Sequence, residues 1–358
     1  MAGLYIHIPF CKKRCLYCDF FSTTLLERRA EYMEALLAEI HARKHETGEP
    51  IRTIYLGGGT PSTLEPQDIQ RLIEAVGTND AEEITMELNP GDATPEYLRA
   101  LKKAGINRLS IGIQSFQDEL LQLIGRRHNA VQAIEAVTMA QEAGFNNLSI
   151  DLMYALPAQT MEQWRADIET ALRLNIQHIS CYGLMYEDGT ALTRMRDKGE
   201  LTPVDEDTEN AMYDDLCERL KNVGFVHYEV SNFALPGFEA KHNSRYWDGT
   251  PYIGIGAGAH SYIGRIRSWN PDDLDAYLRG IRDGNLIRES ETLTDKDLYN
   301  ERIMLGLRTN RGVPRAAIQA ELSPYIADGL LRETPEGDIV ATQSGIHILN
   351  RIIEDLMI

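Results

Sequence analysis

Cys11, Cys15 and Cys18 stand in the run His7-Ile8-Pro9-Phe10-Cys11-Lys12-Lys13-Arg14-Cys15-Leu16-Tyr17-Cys18-Asp19-Phe20, a C-x3-C-x2-C spacing with no fourth cysteine nearby. A [4Fe–4S] centre ligated at every corner takes four thiolates. Three thiolates leave one iron open to bind something that takes part in chemistry. Zinc is the competing metal, but structural zinc takes four closed ligands, commonly as paired C-x2-C elements. Three incidental core cysteines are the plain alternative, and the tight clustering in a chain with 5 cysteines argues against it. Cys181 and Cys217 stand alone and read as core fillers.

Further residues could serve such a centre. Gly57-Gly58-Gly59-Thr60-Pro61 follows a strand-like run. Alone, it reads as a tight strand–helix turn or a phosphate loop, although it lacks the G-K-[S/T] ending of the latter. Glu87, Gln114 and Asp151 fall at or near the ends of later strand-like runs. Each by itself reads equally well as a surface charge, a cap or a satisfied polar group. The run His242-Asn243-Ser244-Arg245-Tyr246-Trp247 joins a histidine, a common haem axial ligand, to two aromatic surfaces. Packing and capping groups in a turn are the competing reading. His260 is a weaker candidate of the same kind.

These residues need a scaffold, and the chain alternates short β-branched runs with helical stretches. Strands are expected at Leu4–Ile8, Thr53–Leu56, Ile84–Glu87, Arg108–Gly112, Leu148–Leu152 and His178–Tyr182. Helices are expected at 26–44, 66–76, 95–104, 130–143 and 161–174. Repeated strand–helix units imply a parallel sheet covered by helices. An open doubly wound sheet and a partial (β/α)6 barrel both fit this order. The polar residues favour the barrel, because cysteines, glycines, Glu87, Gln114 and Asp151 would gather at one carboxyl-terminal rim, where barrel enzymes keep their chemistry. Later, Gly254–His260 is a small-residue segment suited to close backbone approach. The end of the chain reads as helices at 298–307 and 315–327, a hairpin from Leu330–Glu333 and Asp338–Ala341, and a helix at 344–356. That order suggests a small α+β, winged-helix-like module. The division expected is 1–235 for the barrel with the cluster, 236–290 for a connecting segment and 291–358 for the module.

The chain of 358 residues is 43% hydrophobic and 25% charged, with a formal net charge of −18. This is a globular composition, and its acidity disfavours a nucleic-acid partner. Arg126-Arg127-His128 and Lys12-Lys13-Arg14 are local basic patches, the first read from charge alone as a solvated helix face. No apolar run is long enough to span a bilayer, and the strand-like start leaves no room for a cleavable signal peptide. A cytoplasmic protein is expected, with peripheral contact at the inner membrane face left open.

The motif Tyr-x-His-Ile-Pro-Phe-Cys-x3-Cys-x2-Cys resembles the radical S-adenosylmethionine superfamily, in the branch of the anaerobic coproporphyrinogen III oxidases. The resemblance implies a 4Fe–4S cluster on Cys11, Cys15 and Cys18 whose open iron chelates S-adenosylmethionine, from which a 5′-deoxyadenosyl radical is made. It also implies cosubstrate contacts at Gly58, Gly59, Thr60, Glu87, Gln114, Arg126 and Asp151, with Tyr5 and Tyr17 flanking the cluster and adenosine. Two departures separate the chain from the oxidases. Phe20 stands where they carry a further cysteine, and only ten residues precede Cys11. With the H-N-x-x-Y-W run, the chain instead resembles the HemW-type haem chaperones. That resemblance implies haem as ligand, His242 as a haem contact, haem-accepting apoproteins including membrane respiratory enzymes as partners, and room for a homodimer. The alternative carried forward is an oxygen-independent coproporphyrinogen III oxidase; a tRNA-modifying radical enzyme is opposed by the charge.

Overall fold

Six runs form the core of the sheet: β1 (Ala2–Ile8), β2 (Ile51–Gly58), β3 (Glu83–Leu88), β4 (Arg108–Gln114), β5 (Leu148–Tyr154) and β6 (His178–Gly183). The computed structural model describes residues 1–77, 80–285 and 288–358. Each of the six strands pairs in parallel with the next. Their burial is nearly continuous, as expected for strands covered on both faces.

The covering helices are α1 (Arg29–Arg43), α2 (Pro66–Val76), α3 (Pro95–Ala104), α4 (Asp118–Leu123), α5 (Ala130–Glu142) and α6 (Met161–Arg173). Their ends follow from local chemistry. Pro66 and Pro95 occupy first turns, where a missing N–H costs nothing, and left-handed Gly77 and Gly105 terminate the same helices. Asn129 with Gln132, and Thr160 with Gln163, form capping boxes. The buried core runs between sheet and helices through Leu4, Ile54, Leu72, Leu101, Ile150 and Trp164.

The chain continues through α7 (Ala191–Asp197), α8 (Glu206–Asn222), β7 (Val226–Glu229), β8 (Asn232–Ala234), α9 (Lys241–Asp248), β9 (Tyr252–Ile255), β10 (His260–Ile263), β11 (Ile266–Trp269), α10 (Leu274–Arg282) and β12 (Glu289–Thr292). The sheet order is β12-β11-β10-β9-β1-β2-β3-β4-β5-β6-β8-β7. The expected partial barrel is therefore present, and it is wider than its six central strands. β9 returns to pair in parallel with β1, placing Gly254 opposite Tyr5. The Gly254–His260 segment does make close approaches: a Cβ at Gly256 would lie 2.6 Å from the Tyr32 hydroxyl and 2.8 Å from the His7 carbonyl. The His242–Trp247 run lies on helix α9 rather than in a turn.

The last unit holds α11 (Asp295–Gly306), β13 (Val313–Pro314), α12 (Ser323–Ala327), β14 (Leu331–Glu333), β15 (Asp338–Ala341), α13 (Gln343–Ile346) and α14 (Leu349–Leu356). Its strands order as β13-β15-β14, and it has its own core around Ile303, Val313, Ile339 and Ile352. The helix–hairpin–helix order is as expected. The continuous helix expected over 315–327 is instead a 3-10 turn and the short α12, because Ile318 is extended and Pro324 restarts the helix. The final helix is likewise split between α13 and α14.

A bridge between Glu229 and Thr309, with Val230 N–H donating to the Arg308 carbonyl at 2.9 Å, ties this unit to β7. Burial pushes the Glu229 carboxyl up to about 7, despite hydrogen bonds from Asn232 and the Ser231 N–H. A carboxyl raised in the folded state contributes stability that is full below its unfolded value, near 4.5, and is lost as pH rises through about 7. Glu229→Gln should flatten the fall in unfolding free energy across that window, by an amount on the order of 2–3 kcal/mol. Denaturant titrations at several pH values check this; an unchanged slope would count against it.

Candidate metal and cofactor site

The cysteine loop leaves the end of β1 and is closed on itself. The Cys11 N–H donates to the Thr23 carbonyl at 2.8 Å, and the Thr23 N–H donates to the Pro9 carbonyl at 2.7 Å. Its far side is pinned where Leu16 N–H meets the Ile124 carbonyl and Leu192 N–H meets the Leu16 carbonyl, at 3.1 and 2.9 Å. Leu16 and Tyr17 pack on Leu120, Ile124, Leu156 and Leu192. Cys11 is buried, while Cys15 and Cys18 are half-buried. Burial pushes the Cys18 thiol up to about 11 and raises Cys11 as well. Metal loading would have to displace those protons.

The glycine turn after β2 is shaped by these neighbours. A Cβ on Gly59 would sit 2.7 Å from the Pro9 carbonyl carbon and oxygen and 3.0 Å from Cys11 Sγ. Gly58 has φ +112°, and a Cβ there would lie 2.5 Å from the His7 ring. The Thr60 hydroxyl donates to Cys11 Sγ at 3.4 Å. Gly59→Ala should therefore cost about 1–3 kcal/mol through overpacking and reduce iron retained after reconstitution. Thermal unfolding and iron analysis read both, and two unchanged values would refute the crowding argument.

Glu87 ends β3 beneath this turn. It accepts from the Tyr55 hydroxyl at 2.9 Å and from the Gly58 N–H at 3.1 Å. Burial and then the neighbouring Asp151 push its carboxyl up to about 7. Asp151 lies within β5 and accepts from the Ser110 hydroxyl at 3.0 Å. Gln114 holds a left-handed φ of +74° where the β4–β5 register shifts, an uncommon backbone for a residue with a Cβ. The Gln114 amide nitrogen and the Arg126 guanidinium each lie 3.2 Å from where a Gly112 Cβ would stand. Arg126 Nη1 donates to Cys15 Sγ at 3.3 Å and to the Tyr17 hydroxyl at 3.4 Å, Nη2 donates to the Gly112 carbonyl, and its buried Nε has no partner among the described residues. Tyr5 donates to His7 Nδ1 at 2.9 Å, while His7 Nε2 donates to the Phe21 carbonyl at 2.9 Å.

The rim thus brings together Cys11, Cys15, Gly58, Gly59, Thr60, Glu87, Gln114, Arg126, Asp151, Tyr5 and Tyr17, with Cys18 on the same loop. The residues fit a cluster with an open iron: three thiols on one pinned loop, and a glycine that leaves Cys11 its space. Among the described residues no three His, Cys, Asp or Glu side chains converge as ligands of a single ion. Thiolates at separate corners of a four-iron cluster have no need to.

Two readings from the sequence require correction. Arg126-Arg127-His128 is neither helical nor a solvated patch. Arg126 turns toward Cys15, Arg127 pairs with Asp92 at 2.9 Å, and His128 is buried against the Ile113 carbonyl. His242, expected as a haem contact, is fully buried and shares its ring nitrogens with Thr53 at 3.0 Å and Tyr246 at 2.9 Å. Burial, with Arg245 and Arg108 nearby, brings its pKa down to about 3. Its backbone N–H and that of Lys241 donate to Glu83, so the residue anchors α9 to β3.

Sequence reasoning passed over Asp92 and His7. Asp92 accepts from Lys12 at 2.8 Å, Arg127 at 2.9 Å and Ser62 at 2.9 Å, clamping the cysteine loop to the rim. The turn signal Asn89-Pro90-Gly91-Asp92 marks a loop, but nothing in it foretells partners so distant in sequence. His7 lies in the cysteine motif itself.

Residues 5–171 match the radical SAM superfamily model. The heme chaperone HemW of Lactococcus lactis is 42% identical over 86% of this chain and 82% of its own length. HemW of Bacillus subtilis is 38% identical over 92% and 89%, and that of Escherichia coli 33% over 98% and 97%. Among solved structures, coproporphyrinogen III oxidase (HemN) of Escherichia coli, described as a radical SAM enzyme, aligns with a TM-score of 0.84 at 25% identity, covering 99% of this chain and 90% of that one.

Proposed function

We infer the function from the premise that the chain belongs to the radical SAM superfamily and, within it, to the family of HemW haem chaperones. The chain is a haem chaperone: it binds haem, a 4Fe–4S cluster and S-adenosylmethionine, and delivers haem to acceptor proteins. The observation that carries this is the 33–42% identity to heme chaperones HemW of three bacteria over most of the chain, against 25% to the oxidase HemN. Phe20, where the oxidases carry a cysteine, supports the same side of that division.

In this reading Cys11, Cys15 and Cys18 hold three irons of the cluster. Gly58, Gly59 and Thr60 leave backbone open for the methionine part of the cosubstrate, and Glu87, Gln114, Arg126 and Asp151 hydrogen-bond it. Tyr5 and Tyr17 flank the pair. Arg126 has the further task of neutralising the thiolate of Cys15, which its guanidinium already approaches. When bound, the reduced cluster supplies an electron to S-adenosylmethionine. The chain's own residues orient the cosubstrate and exclude water, through the apolar packing beneath Leu16 and Tyr17. The acceptors include respiratory enzymes at the membrane, reached by peripheral contact of a cytoplasmic protein. Among the described residues no helix is long and apolar enough to cross a membrane.

The test offers haem and coproporphyrinogen III in parallel to anaerobically reconstituted protein with S-adenosylmethionine and a reductant. Stoichiometric haem binding with coproporphyrinogen III left intact is the expected result. A decarboxylated porphyrinogen would establish the oxidase instead.

A further inference from the structure

A cleft of about 440 Å³ opens beside the cluster loop, between the residues that follow Cys18, the end of α9, β9 and the segment that leads into β10. Its aromatic wall is built by Phe20, Phe21, Tyr246 and Tyr252, and His260 stands at its side. Phe20 is 65% exposed, so most of its ring is available at the mouth of the cleft. Phe21 packs toward Gly258, whose Cβ would lie 3.6 Å away, and its carbonyl accepts from His7. Tyr5 and His7 line it as well, so the cleft is continuous with the cysteine loop and borders the proposed cosubstrate site at Tyr5.

The chain has 9 histidines, and their surroundings separate them. His7, His128, His178 and His242 are buried and hydrogen-bonded through their rings. His227 is bonded to Tyr213 and Val230, His347 to Asp214, and His41 to the Leu37 carbonyl. Among the described residues only His45 and His260 make no ring hydrogen bond, and His45 stands on the exposed turn after α1. His260 is exposed, yet its orientation is set. It pairs with Trp269 across β10 and β11, and the two rings stack at 5.7 Å with an interplanar angle of 22°. Burial on one side and then Arg267 nearby lower its pKa, which favours the neutral imidazole, the form that binds iron.

We propose that haem docks in this cleft, its face against the aromatic wall and its iron on the ring nitrogen of His260. The proposal rests on the haem-chaperone reading and adds the place and the ligand. Asp19 and Asp272 also line the cleft. Two carboxylates there would repel the haem propionates, so the propionate edge would lie away from them. An exposed ligand at an open cleft suits a carrier, because an acceptor's own ligand can reach the iron and displace it.

The test is haem titration of the full chain followed by visible absorption and electron paramagnetic resonance, with the cluster absent and present. His260→Ala should weaken binding about tenfold or more, a loss of roughly 1.4 kcal/mol, and abolish the histidine-ligated signature. His260→Met should keep a ligand but change the spectrum. Phe20→Asp should weaken binding while retaining the histidine signature, and circular dichroism reports that each variant is folded. Wild-type spectra and affinity in both His260 variants overturn the cleft and leave the chaperone reading standing. A wild-type chain that binds no haem overturns that reading, and the cleft with it.

Discussion

Cys15→Ala yields a protein that retains about a tenth or less of the iron and sulfide of the wild type after anaerobic reconstitution. Three thiolates are the minimum set for a cluster with one open iron, and Cys181 and Cys217 are distant in sequence and embedded elsewhere in the fold. The loss at Cys15 has a second component. Its sulfur accepts a hydrogen bond from Arg126 Nη1 at 3.3 Å, so the substitution removes a partner from a guanidinium whose Nε is already unpaired. Iron and sulfide analysis with visible absorption measures the effect, and Cys217→Ala serves as the control that keeps its cluster. Full iron in Cys15→Ala would remove the cysteine loop from the site. Loading should also weaken as pH falls, because the thiols raised by burial must lose protons to bind iron.

Arg43→Met should be among the most damaging changes to the fold, at about 3–5 kcal/mol. Arg43 and Glu39 form a buried pair on α1, 4% and 1% exposed. Arg43 donates to the Gly254 carbonyl at 2.7 Å and to Ser261 at 3.0 Å. Glu39 accepts from the Gly256 N–H, Asn270 and Tyr277, each at 2.8 Å. Removing the cation leaves a buried carboxylate without its counter-charge and frees β9, which pairs with β1. The double variant Glu39→Gln/Arg43→Met should recover part of the loss, since it no longer strands a charge. Denaturant unfolding decides: a loss under about 1 kcal/mol would mean the pair is solvated.

The same network explains why part of the molecule could be read in the sequence and part could not. The central strands and helices were legible because their signals are local: Pro66 and Pro95 open helices, Gly77 and Gly105 close them, and the strands between are apolar runs. The rim was legible because a parallel barrel sends every strand's end to one side, so Glu87 and Asp151 had to approach the cysteines. Strands β9 to β12 were not, since each is four residues long and β9 pairs with β1 across most of the chain. His242 misled for the same reason. Its partners Thr53 and Glu83 lie far away in sequence, and a histidine beside aromatic residues looks identical in sequence whether buried or open. The left-handed Gln114 and the Asp92 clamp likewise depend on neighbours that only folding supplies.

The central claim is that this chain carries haem and hands it on. The most direct measurement mixes the haem-loaded chain with a haem-free b-type cytochrome domain and follows the acceptor's absorption with time. Haem should leave the chain and appear, stoichiometrically and in functional form, in the acceptor. Haem retained by the chain, with no gain by the acceptor in the presence of cluster and S-adenosylmethionine, would contradict it.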